Sequence, residues 1–137
     1  RGVKSVSGCL LEILEQAEIA IAAEQVPVSM VSRYGILETD AMQIRRILEK
    51  PRPDETESRL AISARYAFRA GFAQYLQAAC DEHDALGPEA PELSLSPVIG
   101  RFLEAGGTAV ALSIEGWRRL DCGDPQGYAE AREVFGA

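Results

Sequence analysis

Histidine, cysteine and tryptophan are scarce in this chain, with one His, three Cys and one Trp in 137 residues. The cysteines, Cys9, Cys80 and Cys122, are odd in number, widely spaced and form no CxxC pair or histidine-containing ligand set. That spacing excludes a disulfide framework and a zinc site and predicts reduced thiols. The lone histidine, His83, lies in the charged run Asp81-Glu82-His83-Asp84. It is expected on a solvated helix end, too far in sequence and character from Cys122 to make a thiol enzyme. Long apolar runs are also missing: the longest, residues 19–23, falls far short of the about twenty residues that span a bilayer. Residues 1–8 lack the apolar core of a secretory signal, so a cytoplasmic address is expected and a membrane role is not. Basic residues are outnumbered, 14 against 21 acidic, giving a net charge of −7. This balance opposes the phosphate neutralisation on which nucleic-acid binding depends. It leaves room for a small anionic ligand, which needs only two or three local cations. No repeat, low-complexity tract or linker is visible, so residues 1–137 are expected to form one domain.

What is present is an alternation of helical and extended patterns. Residues 8–18 carry Leu10, Leu11, Ile13, Leu14 and Ala17 on one helical side, with Ser7 as the expected N-cap. Residues 19–26 read as a strand covered on both faces. Two strand-like runs, 34–38 and 43–48, flank a polar turn at 39–42. The prolines and acids of 51–57 predict a surface loop. A strand over 60–68, with Ile62, Ala64 and Tyr66 in possible alternation, precedes a helix over 71–82 whose Phe72, Tyr75, Leu76 and Ala79 read as core packing. After a connection at 84–92 come a helix over 96–105 ended by Gly106-Gly107, a strand over 108–114, and a helix over 125–135 with Pro125 in its first turn. The order predicts an α/β fold, a layered helix/sheet sandwich rather than a bundle or a β-sandwich.

Three blocks carry residues suited to chemistry: Tyr34-Gly35, Glu49-Lys50-Pro51, and Asp121-Cys122-Gly123-Asp124-Pro125. Glu49 and Lys50 at a strand end can aim a carboxylate at sugar hydroxyls and an ammonium at the attached phosphate, or form an ordinary solvated strand terminus. Gly35 either lets a ligand approach the backbone or marks a bend. Asp121 can serve as one of few protein ligands to Mg²⁺, while Asp124 caps the final helix.

Read in order, five blocks resemble the C-terminal half of bacterial-type UTP–glucose-1-phosphate uridylyltransferases, members of the sugar nucleotidyltransferase family. They are Ser32-Arg33-Tyr34-Gly35, Glu49-Lys50-Pro51, Arg65-Tyr66, Glu92 ahead of Leu93-Ser94-Leu95, and Asp121-Cys122-Gly123 with Gly127-Tyr128. The resemblance implies the C-terminal part of a Rossmann-like nucleotidyltransferase fold. It implies that Tyr34, Gly35 and Glu49 contact glucose, that Lys50 binds the sugar phosphate, and that Lys50 and Asp121 are catalytic, Asp121 as one of two carboxylates on Mg²⁺. The implied partners are glucose 1-phosphate and UTP or UDP-glucose, joined by attack of the sugar phosphate on the α-phosphorus with pyrophosphate leaving. The family's Gly-rich triphosphate loop and its Gly-Asp-Asp have no counterpart in these 137 residues, and Ala64 stands where Gly is typical. A noncatalytic module derived from the fold, and a glucose-1-phosphate thymidylyltransferase-like relative, are the alternatives. An apolar strand edge or sheet face is expected to be exposed, and covered by a second copy or by a complementary N-terminal chain.

Overall fold

The computed structural model describes residues 5–116 and 125–136. In chain order they form α1 (Val6–Ile13), β1 (Ile19–Gln25), a 3₁₀ turn (Val28–Arg33), β2 (Gly35–Asp40), β3 (Gln43–Glu49), β4 (Leu60–Phe68), a second 3₁₀ turn (Ala70–Phe72), α2 (Ala73–Asp84), α3 (Leu95–Glu104), β5 (Ala109–Ser113) and α4 (Pro125–Phe135).

The first five residues of β1 are all buried. Successive side chains of a strand point to opposite faces, so Ile19, Ile21 and Ala23 join Phe72, Val98, Ile99 and Phe102. Ala20 and Ala22 turn the other way and meet Leu10, Ala17, Val110 and Ile114. Helix α1 therefore covers one face, and α2 and α3 cover the other, which is the layered α/β arrangement expected. β5 runs parallel to β1, and β4 runs antiparallel to it on the opposite side. The strand order is β1-β4-β2-β3-β5, and the sheet closes on itself. Closure rests on the pairing of Gln43 with Val110, reinforced by the Ala111 amide donating to the Met42 carbonyl at 2.8 Å. Each of the five strands thus has two neighbours, which corrects the expectation of an exposed strand edge among the described residues.

Local chemistry shifts several boundaries. α1 begins earlier than the apolar pattern suggests because Ser5, not Ser7, is its cap: the Gly8 amide donates to Ser5 Oγ at 3.1 Å. It stops at Ile13 because the next carbonyls are claimed by Arg69. That guanidinium donates through Nε to the Leu14 and Ala17 carbonyls at 3.0 and 3.2 Å, and through an Nη to the Glu15 carbonyl at 3.2 Å. A cation at a helix C-terminus is also favoured by the helix dipole. Residues 28–33 wind into a 3₁₀ turn with Tyr34 as its C-cap, so β2 starts at Gly35 rather than at Tyr34. The β2–β3 turn tightens to Ala41-Met42, with Asp40 paired to Gln43 and Arg45 bound to Asp40 at 3.2 Å. In β4 the expected alternation of Ile62, Ala64 and Tyr66 is broken: Ala64 is exposed, with φ +48°.

Behind β4 runs a column of rings. Tyr66, Phe68, Phe72 and Tyr75 stack in sequence at centroid separations of 5.7, 4.8 and 6.1 Å. Phe102 meets Phe72 and Tyr75 edge-on at 5.2 and 5.0 Å, the T-shaped geometry that ring quadrupoles favour. Phe72, Tyr75 and Leu76 are core packing, as their helical spacing suggests.

Arg69 is the tie between the start of the second 3₁₀ turn and the end of α1. Arg69→Ala is expected to lower the unfolding free energy by about 1–2 kcal/mol, since it strands three carbonyls from a charged donor. Arg69→Lys should recover less than half of that, because an ammonium cannot reach three carbonyls in one plane. Guanidinium unfolding of the three proteins measures both differences.

Candidate active site

The β2–β3 hairpin brings two of the sequence blocks together. Gly35 opens β2 and Glu49 closes β3, and the antiparallel register sets them directly opposite each other. One residue further, the Lys50 amide donates to the Tyr34 carbonyl at 3.1 Å. Tyr34-Gly35 and Glu49-Lys50 are thereby one piece of local structure. Lys50 has φ +47°, in the left-handed region that residues with a Cβ avoid, and Pro51 behind it is buried. Backbone held in such a conformation must be over-determined by its surroundings, and such positions cluster at functional sites.

The absence of a side chain at Gly35 matters here. A Cβ built on it would lie 2.9 Å from Ile62 Cδ1, 3.1 Å from Ser96 Oγ and 3.4 Å from Glu49 Oε2. These three distances define the site's inner wall: an apolar residue from β4, a hydroxyl from the first turn of α3 and the carboxylate from β3. Ser96 is buried, at 6% exposure. Glu49 and Lys50 are exposed, and among the described residues no ion pair engages either of them. An exposed carboxylate can accept from sugar hydroxyls, and an exposed ammonium can donate to a phosphate. The carboxylate also reaches Tyr66. Burial, and secondarily the Glu49 charge, push the Tyr66 phenol above its ordinary value near 10.0.

Other expected residues fall elsewhere. Arg65 is exposed on the looped-out part of β4, and Glu92 is exposed ahead of α3. His83 donates from its ring to the Pro91 carbonyl at 2.7 Å, tying the end of α2 to the loop before α3. Cys9 and Cys80 are unpaired. Asp121, with Cys122, Gly123 and Asp124, lies outside the described residues. Among the described residues no group of three or more His, Cys, Asp or Glu side chains gathers as a metal cage. The Mg²⁺ expectation rests on Asp121. Sequence reasoning missed Ser96 as part of the site. Its one signal is a serine in the first turn of an amphipathic helix, directly before Pro97, a position that also suits a simple cap.

A family model described as nucleotidyl transferase matches residues 11–135. The chain belongs to the nucleotidyl transferase family. It is 32% identical over 120 residues to a UTP–glucose-1-phosphate uridylyltransferase of Haloferax volcanii, covering 87% of this chain and 46% of that protein. With the protein of the same name from Haemophilus ducreyi it shares 33% over 119 residues, covering 81% of this chain and 38% of the relative. In three dimensions it resembles the UDP-glucose pyrophosphorylase of Acinetobacter baumannii, with a TM-score of 0.72 and 26% identity over 95% of this chain and 44% of that one. The chain thus spans less than half the length of these relatives.

The crowding at Gly35 and the raised phenol of Tyr66 each yield a test. Gly35→Ala is expected to cost about 1 kcal/mol, since Ile62 Cδ1 is a movable chain end, and Gly35→Val about 2–3 kcal/mol, read from denaturant midpoints. For Tyr66, a raised folded-state value means stability is fully present below the unfolded value near 10 and declines as pH rises through the folded one. Chemical unfolding between pH 8 and 11 should show this alkaline loss, shrunken in Glu49→Gln and reduced further in Tyr66→Phe.

Proposed function

We propose that this chain carries the sugar-phosphate side of a sugar-1-phosphate nucleotidyltransferase that forms UDP-glucose and pyrophosphate from UTP and glucose 1-phosphate. The observation that carries the reading is the register pairing of Gly35 with Glu49, with Lys50 next along the chain. Relatives named UTP–glucose-1-phosphate uridylyltransferase support the choice of nucleotide and sugar, as does a related structure described as bound to UTP. In this reading Glu49 accepts from glucose hydroxyls, Gly35 and the Tyr34 backbone border the sugar, and Lys50 neutralises the phosphate that attacks. Displacement at phosphorus needs little covalent chemistry from the protein. It needs the sugar phosphate held in line and its charge balanced, which a fixed carboxylate, an ammonium and backbone groups provide.

Magnesium belongs to the proposal through Asp121. The chain spans less than half the length of these relatives, so the proposal is limited to the sugar-phosphate side and assigns none of these residues to the triphosphate. A cytoplasmic setting suits the unpaired thiols of Cys9 and Cys80.

The test is ligand-dependent thermal stabilisation followed by pyrophosphate release. UDP-glucose at a hundred times its Kd should stabilise the chain by about 2.7 kcal/mol. Lys50→Ala should abolish that stabilisation while leaving the ligand-free Tm nearly unchanged. Equal stabilisation of Lys50→Ala and parent would overturn the assignment of Lys50, and none in the parent would overturn the reading of the site. Pyrophosphate release with UTP, glucose 1-phosphate and Mg²⁺ is expected to disappear in Asp121→Ala.

A further inference from the structure

Across one stretch of their pairing β4 has two more residues than β1. Tyr66 lies opposite Ile21 and Ile62 lies opposite Ala23, so residues 63–65 face Ala22 alone. The backbone takes up the excess around Ala64, whose φ of +48° is disfavoured by its own Cβ. Ala64 and Arg65 are exposed, whereas Ile62 belongs to the main core cluster and Tyr66 packs against it. In an unbroken ladder Ala64 would sit opposite Ile21, and Tyr66 opposite Ile19, about 7 Å further along. The bulge makes Tyr66, rather than Ala64, the next inward side chain after Ile62.

Those two β4 side chains are the ones that reach the site. Ile62 Cδ1 approaches the Cβ position of Gly35 to 2.9 Å, and Tyr66 is near enough to Glu49 for the two to interact electrostatically. Tyr66 also heads the ring column through its 5.7 Å stack on Phe68. A bulge that adds two residues keeps the inward parity of the strand while bringing a large ring where an alanine would otherwise lie. Bulges beside functional sites commonly re-aim a side chain in this way.

We propose that Ala64 is a positioning residue: its left-handed bulge makes Tyr66 the next inward side chain after Ile62, and so fixes where that ring lies relative to the Ile62–Gly35 contact at the site. As a statement about sugar binding this rests on the function proposed above. The positioning itself does not.

The experiment compares Ala64→Val and Ala64→Gly with the parent, following the Tyr66 ring resonances by NMR without ligand, the Tm, and the Kd for UDP-glucose. A β-branched residue cannot sit comfortably at positive φ, so Ala64→Val should displace the Tyr66 ring resonances and weaken UDP-glucose at least about tenfold. Glycine accepts the same backbone without a Cβ clash, and the relief is partly offset by its greater loss of chain entropy. Ala64→Gly should keep the parent's Tyr66 resonances and Kd and raise Tm by roughly 3 °C. A folded Ala64→Val with parental Tyr66 resonances would overturn the proposal. So would an Ala64→Gly whose Tyr66 resonances depart from the parent's, and that comparison decides alone if Ala64→Val does not fold. If the parent fails to bind UDP-glucose, the reading of the function falls, and the ligand-free resonances still decide the role of Ala64.

Discussion

The fold depends on a strand that has no solvent face. Ile19 through Ala23 are fully buried, so β1 must be sandwiched, and everything else is arranged to cover it. Its two faces differ in size. Ile19 and Ile21 present bulk toward α2 and α3, while Ala20 and Ala22 leave room for α1 to come close. The ends of β1 are fixed as well: Glu18 and Thr108 exchange side-chain and backbone hydrogen bonds at 3.1–3.3 Å, which locks the start of β1 to the start of β5. Polar groups partly buried beside an apolar strand are costly unless paired. Here each partner satisfies the other's backbone, and the parallel register of β1 and β5 follows from that clamp.

The site inherits its rigidity from the same core by an indirect route. Glu49 and Lys50 are exposed, and the 51–58 loop that follows them is held by short contacts of its own, such as Ser58 Oγ donating to the Leu37 carbonyl at 2.6 Å. What anchors the Gly35–Glu49 pair is the hairpin register on one side and Ile62 and Ser96 on the other. Phe102 of α3 packs edge-on against Phe72 and Tyr75 in the column that Tyr66 heads. The helix that delivers Ser96 and the strand that delivers Tyr66 therefore share one packed cluster. Close-packed interiors have low compressibility and transmit strain, so a shift of one of these walls is felt by the other.

How much of this was legible in the sequence follows from where each signal resides. β4 and α4 coincide with their expected bounds because their patterns are local: Pro125 opens one, and a run of prolines and acids isolates the other. Gly35, Glu49 and Lys50 could be grouped because they end two strands joined by a short turn, so that proximity in sequence becomes register in space. The closure of the sheet could not be read, since Gln43 and Val110 are distant in sequence and neither carries a mark of the other. The cap of α1 was misplaced by two residues because Ser5 and Ser7 are equivalent on paper, and only the reach of an oxygen to the Gly8 amide separates them. Ser96 stayed hidden for a related reason: a serine in a helix's first turn suggests capping, and its proximity to Gly35 arises from the packing of α3 on β3.

The bulge in β4 shows how an irregularity of this kind can be consistent with the whole. Alternation alone would send Ile62, Ala64 and Tyr66 inward in turn and would place a small residue where the hairpin ends converge. The chain instead spends two residues outside the ladder and holds a left-handed alanine, at a cost of about 1–2 kcal/mol. Strain of that size persists only where the flanking contacts over-determine it. Those contacts are present on both sides, Ile62 against Gly35 and Tyr66 against Phe68. A regular strand would relieve the backbone and, with Ile62 kept opposite Ala23, would carry Tyr66 on to face Ile19. The local rule therefore yields at the place where the site needs a ring, and the core on either side of the bulge keeps it there.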